Sequence, residues 1–434
     1  MVLHGELPEA FERIRAVHGI YAEEETGAGL TYARDERVRG WAKREGIGFR
    51  EVPRNGVIRG LRDRDQRMPI WEERIRREEL PPPERIPMSR DTRRACATTL
   101  LPTLGEIGLS PPAGPVQRLD EEAAGIVLES FLSRRGKGYA KGISAPELAR
   151  HTGSRLSVHL AWGTCSLRQV IRRLDARVAE LRADRQSGRG WLTPLKAFRS
   201  RLFWHDHFCQ RLEREPEMEH QSLNRAFDSL PYKDRPDMEE QLWSGRTGFP
   251  MVDATVRALT TTGFANFRMR AMLVSFATYA LHIDWRRLRD PMARIMADYL
   301  PGIHLSQLQM QAGVVGINTV RVYNPSKQLL DNDPQCQFVR RFVPELRRCS
   351  DAEIIACALQ GVESPSHGAS GRLAGIRDPL RPADYPEPII DFRSATAEMK
   401  AAVYSRKRST YGRSEAARVL EQHGSRRSAR TRAS

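Results

Sequence analysis

Residues 243–286 read WSGRTGFPMVDATVRALTTTGFANFRMRAMLVSFATYALHIDWR. Within this stretch, Val252–Thr261 and Asn266–Leu281 place apolar residues at helical rather than alternating intervals, so two helices are expected. Arg270 falls on the same face as Leu273, Val274 and Ala277. A guanidinium on an apolar stripe is costly unless paired, which predicts a buried acid partner. Asp298, in MADYLPGIHLSQLQMQAG (296–313), is the candidate; the alternative is that Arg270 snorkels out to solvent.

Working outward, Asp120 reads as the N-cap of a helix carrying Ile126, Val127, Phe131 and Leu132. From there to about Leu359 helix follows helix, with Leu167–Ala183 and Leu195–Glu213 as further examples. The first 80 residues alternate in type instead. Helix-like Pro8–Val17 precedes strand-like Ile20–Ala22, and helix-like Arg34–Glu45 precedes strand-like Gly48–Val52. That alternation is a piece of a parallel α/β sheet. LPPPERIP (80–87) breaks regular structure, since prolines remove donors and disfavour helix before them. Pro102–Val116, with Pro111, Pro112 and Pro115, is a second loose segment. The expected fold class is therefore mostly α. A partial α/β domain (1–80) and a linker (81–119) precede a large all-helical domain (120–391). A basic tail (392–434) is expected to be disordered: from Arg406 it is Arg- and Ser-rich and closes in SRRSARTRAS.

The 434 residues suffice for two domains and a large buried cofactor. Lys plus Arg number 70 against 54 Asp plus Glu, a formal charge of +16, which favours polyanionic partners or reflects an arginine-rich proteome. Six scattered cysteines, without a CxxC pair, speak against a disulfide scaffold or zinc ribbon and for a reducing compartment. No apolar run approaches the roughly 20 residues of a membrane span. The N-terminus MVLHGELPEAF lacks a signal-peptide layout, so a cytoplasmic protein is expected; a monomer is expected as well.

Three segments carry candidate chemistry. RRGKGYAKG (134–142) sets four cations and three glycines around Tyr139, suited to a phosphate or simply to a solvated basic turn; the GK[ST] ending of a Walker loop is missing. HTGSRLS (151–157) places small hydroxyl residues beside Gly153 ahead of a helix, an anion-binding pattern or ordinary capping. In SRLFWHDHFCQR (200–211), Arg201, Trp204, His205 and Phe208 share one helical face. Such a face suits stacking on a planar ligand, or is core with basic residues at its rim. His205 and Cys209, four apart, lack the further ligands a zinc site needs, and no metal is expected.

Taken in order, Ser154–Val170, Trp243–Arg286 and YNPSKQLLDNDPQCQFVRRFVPEL (323–346) resemble the FAD domain of the DNA photolyase/cryptochrome family, across about Glu121–Asp391. ETGAGLTYARDERVRGW (25–41) resembles the latter half of that family's Rossmann-like α/β domain, whose opening strand has no counterpart here. The resemblance implies FAD in a helical cavity and DNA at a basic rim, damaged duplex or single strand. It carries FAD binding to Tyr139, Gly153, Ser154, Arg155, Leu156, Ser157, Phe198, His205, Arg270, Asp298, Leu300 and His304. Gly153 stands where the family often has Thr. It carries DNA contact to Arg201, Trp204, His205, Phe208, Phe267, Arg268 and Gln328, and electron transfer to Trp285.

The implied activity is light-driven repair of pyrimidine dimers by electron transfer from reduced flavin, a deoxyribodipyrimidine photo-lyase type of reaction. Trp204, Arg201, His205 and His304 would be the catalytic group. This sequence departs from the pattern at several of these positions. Arg201 replaces a glutamate that contacts the dimer, His205 an arginine, and His304 the residue facing the flavin N5, usually Asn. Of the three-tryptophan relay only Trp285 remains, with Leu308 and Lys233 at the other two positions; Met310 replaces a further tryptophan of the lesion pocket. The alternative is a cryptochrome-like blue-light sensor without repair.

Overall fold

The computed structural model describes the chain except residues 1–4, 15, 16, 18, 55, 82, 86, 98, 99, 112, 113, 185, 187, 363–380 and 425–434. The closing SRRSARTRAS lies outside the described residues. Strands Gly19–Glu23 and Gly48–Val52 pair in parallel, Gly19 opposite Gly48, and the helix Gly29–Arg44 makes the crossover. The second strand agrees with its expected limits, and the crossover helix begins five residues earlier than the spacing suggested. The first helix is shorter than Pro8–Val17 and covers only Glu9–Glu12. The loose region after the prolines contains a helix, Arg90–Ala97, that apolar periodicity did not signal because none of its residues is buried.

From Asp120 on, the described residues are mainly helical, and local chemistry sets the ends. The Asp120 carboxylate accepts the Ala123 N–H at 2.7 Å, as its N-cap reading requires. Ser166 and Gln169 form a capping box that starts Leu167–Ala183, the expected span. The helices Leu192–Arg214 and Pro250–Thr262 each extend a turn or less beyond expectation. Asn266–Leu281 is not one continuous helix. Phe267–Ser275 is α-helical, and Phe276–Ala280 widens into a π turn in which the Leu281 N–H reaches Phe276 O.

The main apolar cluster gathers Phe249, Met269, Leu273, Phe276, Tyr279, Trp285 and Leu308, among others. A second joins Trp71, Phe131, Leu156, Leu174, Phe198 and Leu202. The α/β unit is tied to the helical domain through the long helix Leu192–Arg214. The Asp206 carboxylate accepts the Gly56 N–H (2.9 Å) and the Trp71 indole N–H (2.8 Å), and Gln210 exchanges two hydrogen bonds with the Ile58 backbone.

The expected disordered tail is corrected here: Phe392–Arg408 and Thr410–His423 are helices. The composition argument missed their amphipathic stripe. Met399 and Val403 bury in the main cluster, and Val419 buries against Leu212 and Val315. No helix among the described residues is long and apolar enough to cross a membrane.

Glu215 ends the long helix and receives Arg225 (3.0 Å), Arg418 (3.1 Å) and His423 (2.7 Å). Burial works to raise its pKa, but the bonds from His423 and Arg418 outweigh it and hold the carboxyl at about 2. A depressed acid stabilises above its unfolded value and loses that contribution as pH falls through its folded one. Glu215→Gln should therefore cost about 2 kcal/mol in urea unfolding at neutral pH. The gap to the parent should close as pH is lowered from about 4.3 toward 2.

Candidate functional site

The long helix presents its expected face in graded exposure. Arg201 is exposed, Trp204 and His205 are half-buried, and Phe208 is buried. The Trp204 ring lies 5.6 Å from Phe208 and 4.7 Å from His207. His205 Nδ1 sits 3.1 Å from Asp206 Oδ1, which fixes the imidazole on its helix. Phe208 thus belongs to the core rather than to a surface that stacks on a base, because it packs between Trp204, His207 and the Arg211 guanidinium.

A second helix, Pro301–Ala312, crosses directly against this one. A Cβ on Gly302 would fall 2.5 Å from Cys209 Cα, so only glycine allows the contact. The close crossing carries His304 inward. Its Nε2 lies 2.8 Å from the Arg289 carbonyl oxygen, which makes Nε2 the protonated nitrogen and leaves Nδ1 as an acceptor. Burial, helped by the neighbouring Arg270 charge, outweighs the hydrogen bond to Arg289 O, brings His304 down to about 4 and keeps it neutral.

Arg270 and Asp298 form the paired ion predicted from helix periodicity, Nη1 to Oδ1 at 2.8 Å and Nη2 to Oδ2 at 3.1 Å. Arg270 Nε donates to Ala265 O at 2.7 Å, so the guanidinium is anchored inward rather than snorkelling. Trp162, at the end of the helix Ser157–Trp162, donates its indole N–H to Ala297 O beside Asp298.

The basic segment 134–142 is used differently from its phosphate reading. A Cβ on Gly138 or Gly142 would meet Thr152 at 2.7 or 2.2 Å, so these glycines admit Thr152. Arg135 binds the carbonyls of Gly153, Ser154 (3.3 Å) and Val127 (2.8 Å), holding the loop that follows. In that loop Arg155 adopts a left-handed φ of 60°. Leu156 is buried, Ser157 is exposed at the helix start, and Ser154 Oγ accepts from Leu156 N at 3.4 Å. Neither serine caps the helix, which removes the ordinary-capping reading. Tyr139 packs edge-on against Phe131 and Phe198, with the Arg201 guanidinium beside its hydroxyl. Leu300 sits half-buried, its carbonyl accepting the His304 N–H.

Of the remaining expected contacts, Phe267 is exposed and Arg268 lies over the Tyr323 ring at 5.7 Å. Gln328 is buried, with its side-chain oxygen turned to Asn332, and does not form part of an exposed surface. Trp285 is buried and its indole N–H reaches Ser222 Oγ at 3.4 Å.

Sequence reasoning missed Asn266. It occupies an N-cap position, yet its side chain caps nothing: Nδ2 donates to Ile143 O and Ser144 O, both at 2.9 Å. Its Oδ1 is buried without a partner among the described residues. That orphaned acceptor, the acceptor nitrogen of His304 and the fixed Arg270–Asp298 pair suit a planar heterocycle with both N–H and acceptor edges, and the flavin of FAD fits this set of groups. The two grooves of about 300 Å³ lined by Arg54, Glu79 and Ser166, and by Arg235, His282 and Glu398, contain none of these residues.

Comparison with known proteins agrees with this reading. The pattern described as the FAD binding domain of DNA photolyase matches residues 198–405. The chain is 30% identical over 269 residues to a deoxyribodipyrimidine photo-lyase of Thermus thermophilus, covering 61% of this chain and 57% of that one. It is 35% identical over 245 residues to the one of Vibrio cholerae, covering 54% and 49%. The chain therefore spans only about half the length of these curated relatives. Among solved structures, a class III photolyase from Agrobacterium tumefaciens superposes with a TM-score of 0.68 at 23% identity, covering 93% of this chain and 82% of that one. A cryptochrome from Synechocystis gives 0.70 at 19%, covering 91% and 81%.

The architecture is thus that of a helical flavin domain behind a short α/β unit. Over residues 198–405 the chain is similar to the FAD binding domain of DNA photolyase, its fold is that of the photolyase and cryptochrome structures, and FAD is the cofactor this match supports.

Asp298→Leu strands Arg270 without its counter-charge and should cost about 3 kcal/mol of stability in urea unfolding. Pairing it with Arg270→Met should recover most of that loss, because the pair is then replaced by apolar groups.

Proposed function

We propose that the protein is a photolyase-type lyase acting on DNA that carries a pyrimidine dimer. The observation that supports this best is the half-exposed Trp204, flanked by Arg201 and His205, on the helix that packs directly against the one bearing His304. Arg270, Asp298, His304, Leu300, Tyr139, Phe198 and the Gly153–Ser157 loop would hold FAD. When bound and reduced, FAD supplies light-driven donation of one electron to the lesion.

The chain's own residues would supply the rest. The Trp204 indole offers a face on which an extruded base stacks, and extrusion costs a few kcal/mol, least at a lesion already unstacked. Arg201 places a permanent positive charge where the lesion gains negative charge, and His205, fixed by Asp206, offers its second ring nitrogen to a base edge. His304, neutral and held by Arg289 O, accepts a proton-bearing edge without adding charge. The +16 chain, with Phe267 exposed and Arg268 beside it, favours the approach of a phosphate backbone.

Trp204→Ala should weaken binding of a dimer-containing oligonucleotide by about tenfold while bound flavin is unchanged. Equal affinity in both proteins would remove Trp204 from the lesion pocket.

A cryptochrome-like sensor is the second reading, favoured by the fate of the relay positions. Leu308 is buried in the apolar cluster, and Lys233 is held by Glu398 at 2.8 and 2.9 Å. Aliphatic side chains cannot carry an electron hole from Trp285. With flavin chemically reduced beforehand, illumination should repair the oligonucleotide; persistence of the dimer under those conditions selects the sensor.

A further inference from the structure

A second charged centre lies outside the flavin region, between the α/β unit and the far half of the long helix. Phe203, His207 and Arg211 follow one another at intervals of four along that helix and so share a face. Arg67, at the start of the helix Arg67–Arg76, lays its guanidinium over the Phe203 ring at 4.7 Å. Arg211 lies over the Phe208 ring at 5.5 Å. Arg67 is 3% exposed and Arg211 5% exposed. Nε and Nη2 of Arg67, and Nε and Nη1 of Arg211, are buried with no hydrogen-bond partner among the described residues. Arg64 stands nearby with its own donors spent on the carbonyls of Gln422, His423 and Gly424. His423 completes the group, 1% exposed, with Nδ1 also unpartnered.

The carboxylates within reach are already committed. Asp206 serves Gly56, Trp71 and His205, and Glu215 serves Arg225, Arg418 and His423. Arginine cannot escape burial by losing its proton. Burial, followed by Arg64, brings Arg211 down only to about 10, so it stays charged. The same field registers on His207, pushed to about 2 by burial and then by Arg211, Arg67, Arg64 and His423. Two unpaired guanidiniums enclosed together are strongly unfavourable. An arrangement of this kind is stable when an anion supplies the missing charge and acceptors.

We propose that Arg67, Arg211 and His423 form an enclosed site for one free tetrahedral oxyanion of the phosphate class. A planar guanidinium fork pairs with two oxygens of such an ion, and His423, whose pKa burial lowers, would take up a proton as the anion binds and donate Nδ1–H to it while Nε2–H remains on Glu215. Enclosure selects a free ion over a nucleotide, whose sugar and base have no exit between side chains this buried. Its place, at the junction of Arg67 with the helix ending at His423, makes it a ligand that holds the first and last parts of the chain together.

Thermal unfolding of the full-length, FAD-loaded protein in rising inorganic phosphate, against sodium chloride at matched ionic strength, tests this. A saturable rise in Tm of about 3 °C is expected at a hundredfold excess over Kd. Arg67→Met and Arg211→Leu should each abolish the rise, yet be at least as stable as the parent in chloride, since each removes an unpaired buried charge. No rise in phosphate, or a rise kept by both variants, overturns the proposal. So does an equal rise with AMP, which would place the anion on an open surface. Should the variants fail to fold, equilibrium dialysis of the parent with labelled phosphate decides: about one ion per chain supports the site, and none overturns it.

Discussion

The side chain of Asp206 is the constraint on which the rest of the molecule depends. It lies wholly inside, on the long helix Leu192–Arg214, and it accepts from the backbone at Gly56, from Trp71 and from the neighbouring His205. Through the first two it fixes the α/β unit onto the helical domain. Through the third it sets the imidazole that stands beside Trp204. A carboxylate without solvent is tolerable only when its lone pairs are used, and here three donors use them. Changing the docking of the short α/β unit would therefore also change the orientation of a residue beside the flavin site.

The helix Leu192–Arg214 serves different chemistry along its length. Its first turns bury Leu195, Phe198 and Leu202 in the smaller core, its middle offers Arg201, Trp204 and His205 outward, and its end meets the charged network around Glu215. Gly302 sets the second axis of the site by letting the neighbouring helix approach at Cys209. The proposed flavin region is bounded by these two close-packed helices, one ion pair and the Gly153–Ser157 loop that Arg135 holds, which favours fixed geometry over induced fit.

Much of this was legible in the residues themselves. Arg270 on an apolar stripe required an acid, and Asp298 supplies it at hydrogen-bonding distance, because an unpaired buried charge is too costly to leave ambiguous. The strand Gly48–Val52 and the helix Leu167–Ala183 were readable because periodicity and a capping box agree there. The rest escaped for stated reasons. The C-terminal helices hide few apolar residues among many arginines, so composition alone suggested disorder. The glycines of 134–142 signal close approach, but sequence cannot say whether the approaching group is a phosphate or Thr152. Phe208 and Gln328 matched positions that face a ligand in the family, yet packing has drawn both inside. Asn266 showed only an ordinary N-cap signal while its amide bridges to residues over 120 positions away.

The capping of the last helix by Arg64 has a consequence for the order in which the molecule assembles. Its guanidinium reaches the carbonyls of residues 358 to 360 positions further along the chain. Contacts of such separation carry a high loop-closure cost and form late. During synthesis the segment carrying Arg64 leaves the ribosome well before the helix Thr410–His423 and must wait for it before this junction can close. Until then Arg64 faces water, and the early chain is an open half-interface. The junction between Arg64 and the helix Thr410–His423 thus closes late, although the α/β unit is made long before its partner.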